Sequence, residues 1–480
     1  MTSIPSLTSN QEKNLVTDLQ QWALANSLII YPPDFKSYQP VVAPVTLYPT
    51  PFSRIAFEQA NEVQLAYNEL YIKVTNDQDF LLGIIDELSH FDQEFTGKLY
   101  QTYLKAKEIG IKQNLKLGIF RSDYLVEGSE IKQVEFNTVS VSFGGLSTKV
   151  GQVHKFLNNI GNYDPESKGQ LYYKEEDLPV SNSIEALAKG LADANYYYNG
   201  EIYKTDTIVL TIVQEGERNV FDQRLLEFEL LSKHGIKSKR LSLSQIELET
   251  FVDSNTSKIF LKSTGEEISV VYFRAGYAPS DFQNEADWNA RLILETSLAI
   301  KGPDLVTQLA GAKKIQQILT DEEILSKFIP NNSEHYQKLL KSFVKIYPLD
   351  DSELGKKGKS LAFETPEKFV LKPQREGGGN NVYKSDIPGF LKSLSEKEWS
   401  AYILMELINP STFVNKIIRN DQVLKNEIIS ELGIFGVVLF DDKEVKVNEN
   451  AGWLLRSKFS SSNEGGVAAG FGAVDSIQLV

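Results

Sequence analysis

The 480-residue chain has no cysteine, two methionines, four histidines and four tryptophans. Without cysteine there is no disulfide, no thiolate nucleophile and no zinc–cysteine centre, and a reducing, intracellular setting is the natural expectation. His90, His154, His234 and His335 lie too far apart for a metal-ligand spacing, so each is expected at the surface or satisfied in the interior. Long apolar runs are missing as well. No stretch approaches the ~18 apolar residues of a membrane span. The opening "MTSIPSLTSNQEKNLVTDLQQW" has neither the basic start nor the apolar run of a signal peptide. Nor is there an excess of positive charge: a formal net charge of −14 argues against nonspecific nucleic-acid binding. These absences together lead to the expectation of a soluble, cytoplasmic protein with neither a membrane nor a nucleic-acid partner.

What is present is ordinary globular composition, 41% hydrophobic and 11% aromatic, with a length that suggests about two to four domains. Residues 10–28 repeat Leu15, Val16, Leu19, Trp22 and Ala23 at helical spacing behind a Ser9/Asn10 cap. "YPPDFKSYQPVVAPVTLYPTP" holds six prolines and reads as an extended surface connector, with a proline-recognition strip as the alternative. Amphipathic patterns cover 53–110. From about 115 the period becomes that of strands, in "LKLGIF", "IKQVEFNTV" and "TIVLTIVQ". A helix over "ERNVFDQRLLEFELLSKHG" follows, apolar at Leu225, Leu226, Phe228, Leu230 and Leu231 and stopped by Gly235. Residues 206–309 alternate strand and helix as a βα module. Residues 331–366 read as a solvated, lysine-rich helix-and-loop region. "KFVLKP", "SAYILMELI", "IISELGIFGVVLF" and "EVKVNENAGWLL" then suggest an antiparallel sheet, and a second glycine-rich segment, "NEGGVAAGFGAV", lies near the end.

Three elements carry chemistry. "VLKPQREGGGNN" sets Lys372 at the end of a strand before three consecutive glycines. It matches neither GK[ST] nor G-x-G-x-x-G. A lysine beside a flexible loop of backbone N–H groups still suits a triphosphate; the alternative is a hairpin turn. In "QVEFNTVSVSFGG", alternation places Glu135 and Asn137 on one face of a strand, opposite Val134 and Phe136. A carboxylate and a carboxamide so placed offer the hard oxygen ligands that Mg²⁺ takes, with Glu376 as a third ligand if the glycine loop closes; a solvated strand face is the alternative. Arg121 ends the "LKLGIF" strand, Arg274 lies in "YFRAGY", and Arg456 and Lys458 lie in "LLRSK". The arginines are suited to bidentate carboxylate binding, with a surface ion pair as the alternative for each of the four.

"RSDY", "EFNTVSVSFGGL", "ERNVFDQR", "YFRAGY", "QLAGAKKIQQ", "VLKPQREGGGNN", "SELGIFG", "LLRSK" and "GGVAAG", in this order from about 120 to 470, resemble the eukaryotic glutathione synthetase family. The resemblance implies an α/β (α+β), permuted ATP-grasp fold acting as a homodimer, which joins γ-glutamylcysteine to glycine with ATP and Mg²⁺. It implies an N-terminal helical region with the first part of the catalytic core over 1–205 and an inserted substrate-binding βα module over 206–309. The remainder of the core spans 310–480, with a mobile antiparallel lid at about 340–415. Residue by residue, it implies magnesium at Glu135, Asn137 and Glu376, and catalytic cations at Arg121, Lys313, Lys372 and Arg456. ATP is expected against Glu135, Lys313 and Lys372, then Pro373, Gln374, Arg375, Glu376, Gly377, Gly378, Gly379, Asn380, Asn381 and Tyr383. Met405, Glu406, Leu407 and Ile408 would meet adenine through the backbone; some family members carry lysine in place of Leu407. Glu431 would face the ribose, with Lys458 and Glu464 nearby. The dipeptide is expected at Arg121, Val139, Ser140, Val141, Ser142, Glu217, Arg218, Asn219, Gln223, Arg274, Ala275, Gly276, Tyr277 and Arg456, and glycine under Val467 and Ala468. Other ATP-grasp ligases or kinases, and a nucleotide-binding protein without turnover, are the competing readings.

Overall fold

The computed structural model describes residues 4–167, 170–203, 206–374, 380–419, 422–463, 466–467, 470 and 472–480. The helical spacing of 53–110 is realised in Arg54–Asn76, Gln78–Ser89 and Lys98–Ile109. Ser53 accepts from the Ala56 N–H and Asp77 from that of Phe80, satisfying donors that a helix start leaves free. The first helix is Ser9–Ala25. Its cap is Thr8 rather than Ser9 or Asn10, in a capping box with Gln11, and the face it buries is Leu15, Leu19 and Ala23.

A 13-stranded mixed sheet forms the centre. Strand Lys116–Glu127 pairs antiparallel with Gln422–Phe440 and with Glu130–Asn137, and parallel with Ile300–Gly302 at its start. Arg121 therefore sits mid-strand, not at a strand end as the short apolar run suggested; the pairing partners extend the strand through polar residues to Glu127. The βα alternation of 206–309 is seen in Ile208–Ile212, helix Val220–His234, Ser238–Leu241, Glu267–Phe273, helix Glu285–Thr296 and Ile300–Gly302. These strands run parallel and continue the central sheet. The four strands expected near the C-terminal end are antiparallel but divide between two sheets. Phe369–Pro373 and Tyr402–Glu406 join Ile346–Pro348 and Val382–Tyr383 in a four-stranded sheet, while Gln422–Phe440 and Val445–Phe459 form a hairpin in the central one.

Two readings of surface and core need correction. The proline-rich segment is a surface connector only in its first half: residues 33–39 are exposed, and the second half is buried. Val45–Thr46 enters the central sheet between Phe413–Arg419 and Gly472–Asp475, and Leu47 and Tyr48 are fully buried. Its prolines stand where no ladder donor is needed, with the Pro44 carbonyl accepting from the Val474 N–H. Helix Val220–His234 does end at Gly235, in the left-handed region at φ 70°. Its inward face, however, is Asp222, Gln223, Leu226, Glu227 and Leu230, whereas Phe228 is 61% and Leu231 53% exposed. Polar side chains are turned inward here because Asp222, Gln223 and Glu227 each have a hydrogen-bond partner there.

Candidate active site

The alternating pleat of Glu130–Asn137 holds Phe136 in the core, stacked on Tyr71 at 3.8 Å between ring centroids. Glu135 and Asn137 thereby turn to the other side, into a cleft of about 990 Å³. The cleft wall also carries Arg121, Val139, Ser140, Val141, Ser142, Tyr277, Lys372, Asn381, Tyr383, Met405, Glu406, Leu407, Ile408, Glu431, Arg456 and Lys458. Segments more than 300 residues apart in sequence thus meet in one cleft.

Other expected residues stand behind the wall or turn away. Lys313 donates to Glu135 Oε2 at 3.0 Å, and Arg274 Nη2 donates to Ser142 Oγ at 2.6 Å. The Arg218 guanidinium donates to the Tyr31 carbonyl instead of facing the cleft. Gln374 is engaged by the Lys314 N–H and the Ala401 carbonyl, and Pro373 and Asn380 are likewise not in the lining. Ala275 is buried; the Gly276 carbonyl accepts from Gln308. The backbone N–H of Glu406 and of Leu407 are bonded to the Lys345 and Lys368 carbonyls. Glu431 pairs with Arg456, and Val467 is buried. Arg375, Glu376, Gly377, Gly378, Gly379, Glu464 and Ala468 lie outside the described residues.

Two buried carboxylates that the sequence reading missed organise the site. Asp123, with no exposed surface, receives a bidentate fork from Arg121 (Nε to Oδ1 2.6 Å, Nη2 to Oδ2 2.7 Å), one bond from Arg456 at 3.1 Å and one from Asn137 Nδ2 at 3.2 Å. Burial pushes its carboxyl up, and the two guanidinium groups pull against that. A signal was present: Arg121 and Asp123 are two apart on a strand and share a face. Asp222 accepts from the backbone N–H of Phe143, Gly145 and Leu146, at 2.8, 2.7 and 3.2 Å. It thus caps the start of helix Gly144–Asn159 from another helix and holds Phe143 (φ 71°) in the left-handed region, while Ser140 (φ 53°) donates to the Phe273 carbonyl. No local pattern announces such a cap.

The electrostatics are those of a site for anions. Burial alone would raise Glu135, but Lys313 and Lys372 outweigh it and hold its carboxyl well below the usual range. Lys372 is 5% exposed and donates to the Val134 carbonyl at 2.9 Å. Burial first, and then repulsion from Lys313, lower its pKa, against the pull of Glu135. Because Asn137 Nδ2 is committed to Asp123, an acceptor only, the amide oxygen Oδ1 is the atom left to face the cleft. An ionised carboxylate and an amide oxygen fit a hard divalent cation. Among the described residues no group of three or more His, Cys, Asp or Glu suited to a metal occurs, and Glu376, the expected third ligand, is not one of them. His154 is satisfied in the interior, between Ser476 Oγ at 2.6 Å and the Thr46 carbonyl at 2.8 Å.

Comparisons with known proteins agree with this picture. The family described as "Eukaryotic glutathione synthase, ATP binding domain" matches residues 9–479. The glutathione synthetase large chain of Schizosaccharomyces pombe is 40% identical over 462 residues, covering 91% of this chain and 91% of that protein. Glutathione synthetase of Rattus norvegicus is 39% identical, covering 94% of each chain, and a form from Arabidopsis thaliana named as chloroplastic is also 39% identical, covering 98% of this chain and 85% of its own. Among solved structures, a glutathione synthetase like-effector from Globodera pallida in apoform has a TM-score of 0.77 over 100% of both chains at 21% identity, a likeness of fold. The mixed α/β architecture and the family match bear out the ATP-grasp fold class expected from the motifs. With that match running almost from end to end and such identity held over nine-tenths of the chain, the protein belongs to the eukaryotic glutathione synthase family.

Proposed function

We propose that this cleft joins the C-terminal carboxylate of γ-glutamylcysteine to the amine of glycine, using ATP. The observation that carries the reading is the convergence of Arg121, Arg456 and Lys372 on one wall with Glu135 and Asn137. A carboxylate resists an amine because oxide is a poor leaving group. Its oxygen instead attacks the γ-phosphorus and ADP departs. The amine nitrogen then attacks the carbonyl carbon of the acyl phosphate, inorganic phosphate leaves, and the amine proton is lost to solvent. Arg121 and Arg456, held by Asp123, orient the reacting carboxylate and offset the charge that builds on its oxygens. Lys313 and Lys372 bind the phosphates. Glu135 and Asn137 Oδ1 would hold Mg²⁺, which when bound neutralises phosphate charge. Tyr383 and Met405–Ile408 line the position for the nucleotide base and Val139–Ser142 that for the dipeptide, with Gln223 and Arg274 behind that wall taking part in the dipeptide site.

In this reading 206–309 is the substrate module and about 340–415 the lid that excludes water. The chain works in the cytoplasm, as its lack of cysteine suggests, and as a homodimer, which the exposed Phe228 and Leu231 support. The test is mass spectrometry of products after mixing the protein with ATP, Mg²⁺, γ-glutamylcysteine and a panel of amino acids. Glutathione with one ADP per peptide bond is expected. Preferred use of another amine, or ATP hydrolysis without peptide, would sink the reading.

A further inference from the structure

A chain of hydrogen bonds with fixed polarity runs along the inward face of helix Val220–His234 to the loop before it. Glu227, 7% exposed, accepts from Arg224 at 2.6 Å and from Arg240 at 2.5 Å. The other arm of Arg240 donates to Gln223 Oε1 at 2.7 Å. Gln223, 2% exposed, donates through Nε2 to Glu217 Oε2 at 3.1 Å, and Glu217 Oε1 accepts from the Asn219 N–H at 2.7 Å. An amide side chain is ordinarily free to exchange its oxygen and nitrogen ends. Here it is not: arginine only donates and a carboxylate only accepts, so the ends of Gln223 are set from both sides.

We propose that Arg240 is a positioning residue for the dipeptide site, which it serves by locking the amide of Gln223 with its N–H₂ group toward Glu217. This rests on the reading of Gln223 as a dipeptide contact. Arg240 belongs to strand Ser238–Leu241 and lies outside the cleft wall. Its part is to keep the oxygen of Gln223 turned away, so that the substrate meets a donor. The group selected is then an acceptor, and the amide need not be ordered at each binding event. The fork of Arg240 serves two acceptors at once, Glu227 and Gln223, which a lysine ammonium reproduces poorly.

The test measures KM for γ-glutamylcysteine and for ATP, together with kcat, in Arg240→Met, Arg240→Lys, Gln223→Leu and the double variant Arg240→Met/Glu227→Met. The double variant replaces a buried ion pair by apolar side chains, a change that folds tolerate better than an unpaired charge. Both the single and the double Met variants are expected to raise the dipeptide KM about 2- to 12-fold, the worth of one hydrogen bond, with kcat and the ATP KM unchanged. Arg240→Lys should recover part of the loss. If Gln223→Leu leaves the dipeptide KM unchanged, the assignment of Gln223 itself fails. If Gln223→Leu raises it while the folded double variant keeps the wild-type value, the locking role of Arg240 is overturned. An equal rise in KM for both substrates, or a fall in kcat with both KM values unchanged, would overturn it as well.

Discussion

At the scale of single residues, the site is built from charges that only other charges make tolerable. Lys372 is buried beside Lys313, and Glu135 is the carboxylate that keeps both ammonium groups in place. We expect Lys372→Ala to weaken ATP binding about 10- to 150-fold, the worth of a charge-assisted hydrogen bond, with thermal stability near wild type. Calorimetric titration with ATP checks this, and unchanged affinity would remove the lysine from the phosphate site. Asp123 differs in kind, because it touches arginines and not substrate. Asp123→Asn leaves Arg121 and Arg456 without their shared counter-charge, and stability is expected to fall by about 3–5 kcal/mol. Urea denaturation measures this. A change below 1 kcal/mol would mean that the arginines find other partners.

At the scale of elements, the strands work by alternation. Strand Gln422–Phe440 crosses Lys116–Glu127 so that Gly433 faces Asp123. A Cβ at Gly433 would lie 2.7 Å from Asp123 Oδ1 and 2.8 Å from Arg121 Cδ. The glycine in "SELGIFG" thus makes room for an ion pair on the next strand. Gly433→Ala should push that pair out of place, costing about 1–3 kcal/mol of stability and lowering kcat more than it raises the ATP KM. Steady-state kinetics beside a melting curve test this; wild-type values in both would show that the pair has slack. Helix Val220–His234 teaches a related lesson. Its five apolar positions suggested an apolar inner stripe, yet Asp222, Gln223 and Glu227 point inward, because each has a charged or backbone partner waiting.

At the scale of the whole molecule, one sheet runs from the edge strand Thr250–Val252 to Phe413–Arg419 and carries the site across its middle. Where the Val45–Thr46 and Gly472–Asp475 strands meet, two buried groups titrate against each other. Burial holds His154 down at about 4 against 6.5, so between those values the unfolded chain binds the proton and acid favours unfolding. Burial pushes Asp475 up to about 6 from 3.8, despite hydroxyl bonds from Ser457, Thr46 and Thr50. Between those values the folded chain binds the proton, so acid favours folding. Between pH 4 and 6 the two effects oppose each other. Asp475→Asn should therefore uncover the histidine, with stability falling by of order 3 kcal/mol from pH 6.5 to 4 relative to the parent. Urea midpoints across that range decide it, and parallel curves for parent and variant would contradict the assignment.

The sequence by itself determined the class of elements, the family and part of what lines the cleft. Glu135 and Asn137 share a face because a strand alternates, and Lys372 precedes a glycine run in the chain itself. Such facts depend on neighbours within a few residues, which local sterics settle. What only the tertiary structure decided was which charges meet: Arg121 and Asp123 with Arg456, more than 330 residues on, and Asp222 with the backbone of Phe143. It also decided that the proline segment enters the sheet, that Arg218 turns to Tyr31, and that Arg240 holds Gln223. Each of these contacts joins distant segments. Its worth comes from desolvation, the cost of leaving a buried polar group unpaired, and burial is a property of the assembled fold rather than of any stretch of chain.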